Sequence, residues 1–374
     1  MTNFNQKYNG NMRIQKRNEP PTANRGVQKP DIAQIDFNDL MQSEYNGMVA
    51  SIDYLEFTIW DYDPQGVIKY ILELSPEDFE DTGRGGGGYP KMLKANFGDI
   101  RILYGAANSD VMGIHVTIPG DGCKSLFGRV LPTDLFANLL ENAASITRID
   151  MALDNIGDIF YYPKDLNEYV MQGKVKSKWR TFSPYQSKSM QTGELTGDTV
   201  YLGSTSSDLF CRVYDKKLER NRINETDKKI DMEWVRWELV FKEDRAQAVV
   251  ERLAETDYAL GDVIAGVLKN YFNILQPGAD SHRDRWKLDS KWAEFIGEIE
   301  PIRLYRVVKE KDILSVEHWL VKQCMPSLAA IFEVEGLDWI EREIGANQWR
   351  MSAELRSIID EAKNRRKNRK EDAA

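Results

Sequence analysis

Histidine and cysteine are nearly absent from this chain, with three of each in 374 residues. Cys123, Cys211 and Cys324 are far apart and show no CxxC spacing, so they define neither a disulfide framework nor a zinc ligand set. His115, His282 and His318 are equally scattered, which argues against a multi-histidine metal site. No run approaches the roughly 20 apolar residues of a membrane span, and the polar opening MTNFNQKYNGNMRIQKRNEPP lacks the apolar centre of a signal peptide. With unpaired thiols, this leads us to expect a cytoplasmic protein with no membrane contact. A positive net charge is lacking too: 50 basic against 59 acidic residues give −9, so the whole molecule is not drawn to polyanions. The glycine run GRGGGGYP (83–90) has no GK[ST] ending and no apolar helix pattern after it, and it reads as a flexible loop rather than a nucleotide cradle.

What the chain does have is apolar and aromatic content. Hydrophobic residues make up 42% and aromatics 10%, including nine Trp, which excludes global disorder. At about 150 residues per domain the length suggests two or three domains and is ample for an enzyme. Residues 1–48 are polar and broken by prolines, and read as a disordered arm with at most a short helix over 32–41. Residues 49–275 hold the β-like runs. A boundary is expected near Gln276-Pro277-Gly278, and 276–374 then reads as a helical region for DNA recognition or oligomerisation.

Charge is concentrated at the ends. Lys7, Arg13, Lys16, Arg17, Arg25 and Lys29 face only Glu19, and Lys363, Arg365, Arg366, Lys367, Arg369 and Lys370 form a basic tail. These are either solvated tails or polyanion contacts. Within the body, GKVKSKWRTFSPYQSKSM (173–190) carries Lys174, Lys176, Lys178, Arg180 and Lys188 without an acid, interleaved with Trp179, Phe182 and Tyr185. Cations that follow phosphates and rings that stack on bases suit single-stranded nucleic acid. An exposed basic loop anchored to the core by its aromatics is the other reading.

Three segments show period-two alternation. In SITRIDMALDN, Ile149, Met151 and Leu153 oppose Arg148, Asp150, Ala152 and Asp154; in FCRVYDKK, Cys211 and Val213 oppose Arg212, Tyr214 and Lys216. In VRWELVFK, Val235, Trp237, Leu239 and Phe241 oppose Arg236, Glu238 and Lys242. Alternation alone favours an antiparallel sheet with one solvated face. If the strands instead pair over one core, Asp150, Asp154 and Glu238 gather around Tyr214. Carboxylates without histidine suit a hard divalent cation, Mg²⁺ or Mn²⁺. A tyrosine beside them has a use in attack on phosphorus, which needs its phenolate favoured by cations such as Arg212 and Lys216.

The motifs ITRIDMALDN, YLGSTSSDLFCRVYDKKLE and VRWELVFKEDRA, in that order, resemble those of the Rep_trans family of replication initiation factors, as SIDYLEFTI and GIHVTIPGDGCKSLFG resemble its amino-terminal pattern. The resemblance covers about 51–245, and the helical tail looks more like the phage-type members. It implies an α+β fold with a central antiparallel sheet, helices on one face, a polar active-site face, and a mainly helical carboxy-terminal region. It also implies an endonuclease and strand transferase that nicks one strand of an origin, retains the 5′ phosphate on a tyrosine and frees a 3′ hydroxyl. Residue by residue, the family's tyrosine falls on Tyr214 and its carboxylates on Asp150 and Glu238, with Asp154 a less certain fourth member. The Gly203-Ser204 turn matches as well, whereas Thr205 stands where the family often has a basic residue.

The expected function is therefore a rolling-circle replication initiator of a phage or plasmid. Tyr214 attacks, Arg212 and Lys216 stabilise charge, and Asp150, Glu238 and Asp154 hold Mg²⁺ or Mn²⁺. Lys174, Lys176, Lys178, Trp179, Arg180, Arg365, Arg366 and Lys367 are the candidate DNA contacts. The implied partners are single-stranded or supercoiled origin DNA, a host helicase and polymerase, and a second copy in a homodimer. A conjugative relaxase and a non-catalytic origin-binding regulator are the alternatives, with a two-carboxylate glycosidase far behind.

Overall fold

The structure is a computed structural model that describes residues 43–45, 47–223, 229–255, 259–302 and 304, then 324–352 and 355–360, with Ile313, Val316, Leu320 and Lys363. Contacts divide the chain between Ile35 and Asp36, and every described residue belongs to the second unit. Most of the expected arm, the helix over 32–41, His318 and the tail cations Arg365, Arg366 and Lys367 lie outside the described residues.

Alternating apolar residues build one antiparallel sheet of eleven strands. These are β1 (Ser43–Tyr45), β2 (Met48–Ile59), β3 (Phe79–Asp81), β4 (Lys91–Ala95), β5 (Arg101–Tyr104), β6 (Ile114–Pro119), β7 (Ser145–Ile156), β9 (Phe182–Lys188), β10 (Leu195–Leu202), β11 (Leu209–Asp215) and β12 (Trp234–Lys242). Their spatial order is β3-β4-β5-β6-β2-β7-β12-β11-β10-β9, with β1 paired to β2. A smaller sheet joins β8 (Val175–Ser177), β13 (Phe272–Gln276) and β14 (Lys287–Leu288). The long β2, β7 and β12 occupy the centre, which is where strands with a continuous apolar face belong.

Among the described residues, the helices of seven residues or more are α1 (Gly120–Phe127), α2 (Pro132–Glu141), α3 (Pro163–Met171), α4 (Lys216–Ile223), α5 (Asp244–Glu255), α6 (Leu260–Tyr271), α7 (Ser290–Ile296), α8 (Met325–Glu335) and α9 (Leu337–Asn347). The fold is thus α+β, as the sequence implies. Ile149, Met151, Leu153, Cys211, Val213, Val235, Trp237, Leu239 and Phe241, the apolar positions of the three alternating segments, all lie in the core. There they meet Val249 and Val250 of α5 and Val263, Ile264 and Val267 of α6. The same cluster continues past Gln276-Pro277-Gly278 into Trp292, Phe295 and Ile296 of α7, where the Trp237 ring lies 5.0 Å from Phe295 and 5.7 Å from Trp292.

Two local features depart from the periodicity. Ser43–Tyr45, inside the segment read as an unstructured arm, pairs with β2, with Tyr45 opposite Met48. Gly47 has the positive φ, +76°, that a tight hairpin turn favours. Second, β2 slips register between Ile52 and Tyr54. This bulge lets Asp53 and Tyr54 both leave the core side, while Ile52 and Leu55 remain buried.

Candidate active site

Register decides what the polar face contains. Asp154, Ala152 and Asp150 of β7 stand opposite Arg236, Glu238 and Val240 of β12. Arg236 and Glu238 in turn stand opposite Tyr214 and Arg212 of β11. The three alternating segments are therefore neighbours, with their charged positions on one side. That side is not a solvated face: Asp150 is 2% exposed, Arg236 3%, and Asp154 and Glu238 0%. Buried charges of this kind persist only when paired and hydrogen-bonded.

The pairing falls into two groups. In the first, Arg236 donates from Nε and Nη2 to the Asp154 carboxylate at 2.8 and 2.7 Å and from Nη1 to Asp53 Oδ1 at 2.7 Å. Trp234 Nε1 adds a third donor to Asp154 at 2.6 Å. Burial opposes the charge of Asp53, but Arg236 and Lys216 overcome it and hold the carboxyl below its ordinary value.

In the second group, the Tyr214 hydroxyl donates to Glu238 Oε2 at 3.2 Å and accepts from Lys216 Nζ at 3.3 Å. Arg212 pairs with the other oxygen, Glu238 Oε1. The Arg212 guanidinium and Lys216 ammonium also sit 5.5 and 5.2 Å from the Tyr214 ring centroid. Tyr214 itself is 6% exposed. Burial is the largest influence on its phenol and pushes it well above the usual value, against the pull of Arg236. The resting tyrosine is protonated, although cations flank it as the sequence suggested. Burial and Arg236 lower the Lys216 ammonium in turn.

Asp150 lies between this group and β2. Arg148 clasps it at 2.8 and 2.6 Å, and the Arg148 guanidinium stacks 4.3 Å from the Tyr54 ring centroid. Tyr54 donates to Glu56 Oε2 at 3.0 Å, and Glu56 Oε1 pairs with His115 Nε2 at 2.9 Å. His115 is thus a satisfied histidine at the far end of the same face, with Thr58 Oγ1 3.0 Å from its Nδ1. Burial raises the Asp150 carboxyl, the Arg148 hydrogen bonds oppose this, and the Glu238 charge adds to it; the outcome is about 7.

This bears on which residues fit a divalent cation. Asp150 and Glu238 are buried carboxylates whose charges repel, and a hard cation between them would relieve that repulsion. Asp154 fits less well, because three donors already occupy its two oxygens. Among the described residues no group of three or more histidine, cysteine, aspartate or glutamate side chains forms a ready-made metal site.

The first part of the basic segment, residues 174–180, lies away from this face, beside the smaller sheet, while its later residues form β9 of the large one. Lys176, Arg180, His282 and Arg283 line a cleft of about 520 Å³ beside β8. Lys176 pairs with Asp284 at 2.8 Å, Lys178 reaches Asn270 at 2.5 Å, and Lys174 lies 5.9 Å from the Tyr169 ring. Trp179 is half-buried and works as an anchor: its Nε1 donates to the Leu209 carbonyl at 3.0 Å and its ring lies 5.2 Å from Tyr271. A Cβ on Gly203 would come within 2.7 Å of that ring, which explains glycine there, at φ +94°.

Alternation marked Tyr214, Glu238, Asp150, Arg212 and Lys216, and the structure brings these five to one face. It missed Asp53, Tyr54 and Glu56, because the β2 bulge breaks the period that would have exposed them.

The antiparallel sheet thus buries paired carboxylates and arginines around a tyrosine flanked by cations on one sheet face. Residues 144–345, more than half of the chain, match the family described as replication initiation factor, Rep_trans, and the chain belongs to that family. Residues 49–136 match the rolling circle replication initiation protein N-terminal domain. Among curated proteins the chain is 26% identical over 325 residues to "Putative DNA relaxase NicK" of Bacillus subtilis (strain 168), covering 85% of this chain and 88% of that protein. Among solved structures it is similar to a rolling circle replication initiator protein from Geobacillus stearothermophilus, with 27% identity and a TM-score of 0.61 over 70% of this chain and 99% of that one.

Proposed function

We propose that this protein is a site-specific DNA nickase and strand transferase that starts rolling-circle replication, with Tyr214 as its nucleophile. The hydrogen bond from the Tyr214 hydroxyl to Glu238 Oε2, with Lys216 Nζ donating to the hydroxyl oxygen itself, carries this reading. Tyr214 Oη forms a bond to phosphorus as the bond from phosphorus to the 3′ oxygen breaks. The phenol proton passes to Glu238, its hydrogen-bond acceptor, and the leaving oxygen takes a proton from solvent to become the 3′ hydroxyl. A phosphate arriving between Arg212 and Lys216 competes with Glu238 for Arg212 and neutralises charge as it develops. Asp150 and Glu238 are the residues that would hold Mg²⁺ or Mn²⁺, whose chemistry there would be to polarise a phosphate.

The substrate is origin DNA in single-stranded or supercoiled form, and the freed 3′ hydroxyl serves a host polymerase behind a host helicase. Lys174, Lys176, Lys178 and Arg180, with the tail residues Arg365, Arg366 and Lys367, are the proposed phosphate contacts. The similarity to NicK along most of both chains supports a second reading, in which the same chemistry acts at a transfer origin.

Labelled single-stranded fragments tiled across the DNA around the gene, incubated with protein and Mn²⁺, test this on a denaturing gel. The expected result is a shifted, protease-sensitive band that disappears in Tyr214→Phe, and the position of the nick separates a replication origin from a transfer origin. Tight fragment binding with no adduct would instead identify a non-catalytic origin-binding regulator.

A further inference from the structure

Beyond the Tyr214 group, the same sheet face carries a row of rings. Tyr185 of β9 and Tyr201 of β10 meet edge to face with centroids 5.5 Å apart, and Tyr201 lies 6.3 Å from Phe210 of β11. Register accounts for the row. Thr199 stands between Tyr185 and Tyr214 as cross-strand partner of both, and Tyr201 stands between Ser183 and Arg212. Ser183, Tyr185, Thr199, Tyr201, Arg212 and Tyr214 therefore share one face, while Val200, Leu202, Cys211 and Val213 are buried on the other.

A diagonal ring pair stabilises a sheet by itself, but it does not call for an open ring. Tyr185, on the last strand of the sheet, is 61% exposed, and Tyr201 is half-buried. Ser183, Tyr185, Thr199 and Tyr201 include no acid that would repel a polyanion. Adjacent strands lie about 4.8 Å apart, so Tyr185 is on the order of 10 Å across the sheet from the strand that holds Tyr214. A short stretch of unpaired nucleic acid covers that distance. Aromatic side chains on an open sheet face, leading to a cation-flanked site, are the pattern of a stacking platform, which accepts any base because every base has a π face.

We propose that Tyr185 and Tyr201 form a stacking platform for unpaired bases of the strand whose phosphate meets Arg212 and Tyr214. The placement of that phosphate rests on the nickase reading; the stacking itself does not.

Fluorescence anisotropy tests it with three labelled probes: oligo(dT), an abasic oligomer of the same length and charge, and a duplex. The wild-type protein binds oligo(dT) more tightly than the abasic strand. The double variant Tyr185→Ala/Tyr201→Ala loses about tenfold or more on oligo(dT) and nothing on the abasic strand or duplex, and Tyr185→Phe/Tyr201→Phe keeps wild-type affinity. If thermal melting shows that the double alanine variant has unfolded, Tyr185→Ala alone, at the exposed edge, is read instead. Three results would overturn the platform: a wild type indifferent to abasic sites, alanine variants that bind oligo(dT) normally, or equal losses on oligo(dT) and the abasic strand. The covalent adduct is scored separately. Ring-dependent binding without an adduct keeps the platform and removes the nickase, and an adduct with ring-independent binding does the reverse.

Discussion

Two groups of carboxylates and cations sit side by side on one sheet face, and they are built for different ends. Asp154 and Arg236 are sealed, 0% and 3% exposed, with every Asp154 oxygen bonded and Arg236 shared with Asp53. The Tyr214 group uses the same residue types but leaves Arg212 and Lys216 partly open to solvent, at 35% and 13% side-chain exposure. A closed network resists change, because removing either partner strands a buried charge. An open one can exchange a partner, so Arg212 can turn from Glu238 to an incoming phosphate. The first group fixes β7 against β12 and the second has a hydroxyl and two cations to offer, although their sequence signatures are the same.

The sharpest way to break that comparison is to exchange phenotypes. Tyr214→Phe removes one hydroxyl and is expected to abolish the covalent adduct, while urea unfolding stays within about 1.5 kcal/mol of wild type, the value of one hydrogen bond. Asp154→Ala should do the opposite and lower unfolding free energy by about 3–5 kcal/mol, because Arg236 loses its main partner. A stable Asp154→Ala protein that no longer forms the adduct would move Asp154 from the closed group to the reacting one.

Glu238→Gln refines the second group. The amide oxygen still accepts from Arg212, but it cannot take the phenol proton. Single-turnover nicking should fall by about 10²–10⁴-fold, the usual contribution of general base catalysis. An unchanged rate would show that the proton leaves by another route, with Lys216 the neighbouring candidate.

Asp150 lies beyond Glu238 on the side away from Asp154 and Arg236, and can be read through pH. Its carboxyl sits at about 7 in the folded protein and near 3.9 when unfolded. Across the window from about 4 to about 7 the folded state therefore holds the extra proton. Stability from this group is present at the acid end and is lost as pH rises. Asp150→Asn should flatten that slope. If Asp150 helps hold a divalent ion, Mn²⁺ should raise the wild-type melting temperature by about 2 °C or more at pH 8, less at pH 6, and not at all in Asp150→Asn. A Mn²⁺ shift retained in the variant would assign the ion to other residues.

Much of this was legible in the chain because period-two alternation is unbroken from Arg148 to Asp154 in β7, from Cys211 to Tyr214 in β11 and along β12. Ile149, Met151 and Leu153 could only face a core, so Asp150 and Asp154 had to face the other way. Alternation stops at the face, however, and does not give register. Whether Arg236 stands opposite Asp154 or opposite Asp150 is a four-residue shift, an even number that leaves every hydrophobic side chain on the same side. That shift decides which carboxylate is sealed. Asp53 was hidden for another reason: a bulge adds one residue to β2, and no count of two finds it. The pairing of β1 with β2 is hidden because the composition around Ser43–Tyr45 is polar.

The basic segment repeats the contrast on a smaller scale. Trp179 is closed, with its Nε1 on the Leu209 carbonyl and its ring against Tyr271, whereas Arg180 is exposed at the edge of the cleft. Trp179→Phe keeps a ring in place and gives up one hydrogen bond, so it should cost about 0.5–1.5 kcal/mol in urea unfolding and leave oligo(dT) affinity unchanged. Arg180→Ala should leave stability unchanged and reduce the slope of log affinity against log salt by about 0.7, one single-strand phosphate contact. The two measurements are independent. A loss of affinity in Trp179→Phe at full stability would show that the ring edge facing the cleft also touches DNA. The anchor and the contact would then be one residue, and the division between closed and open groups would hold for the Tyr214 face alone.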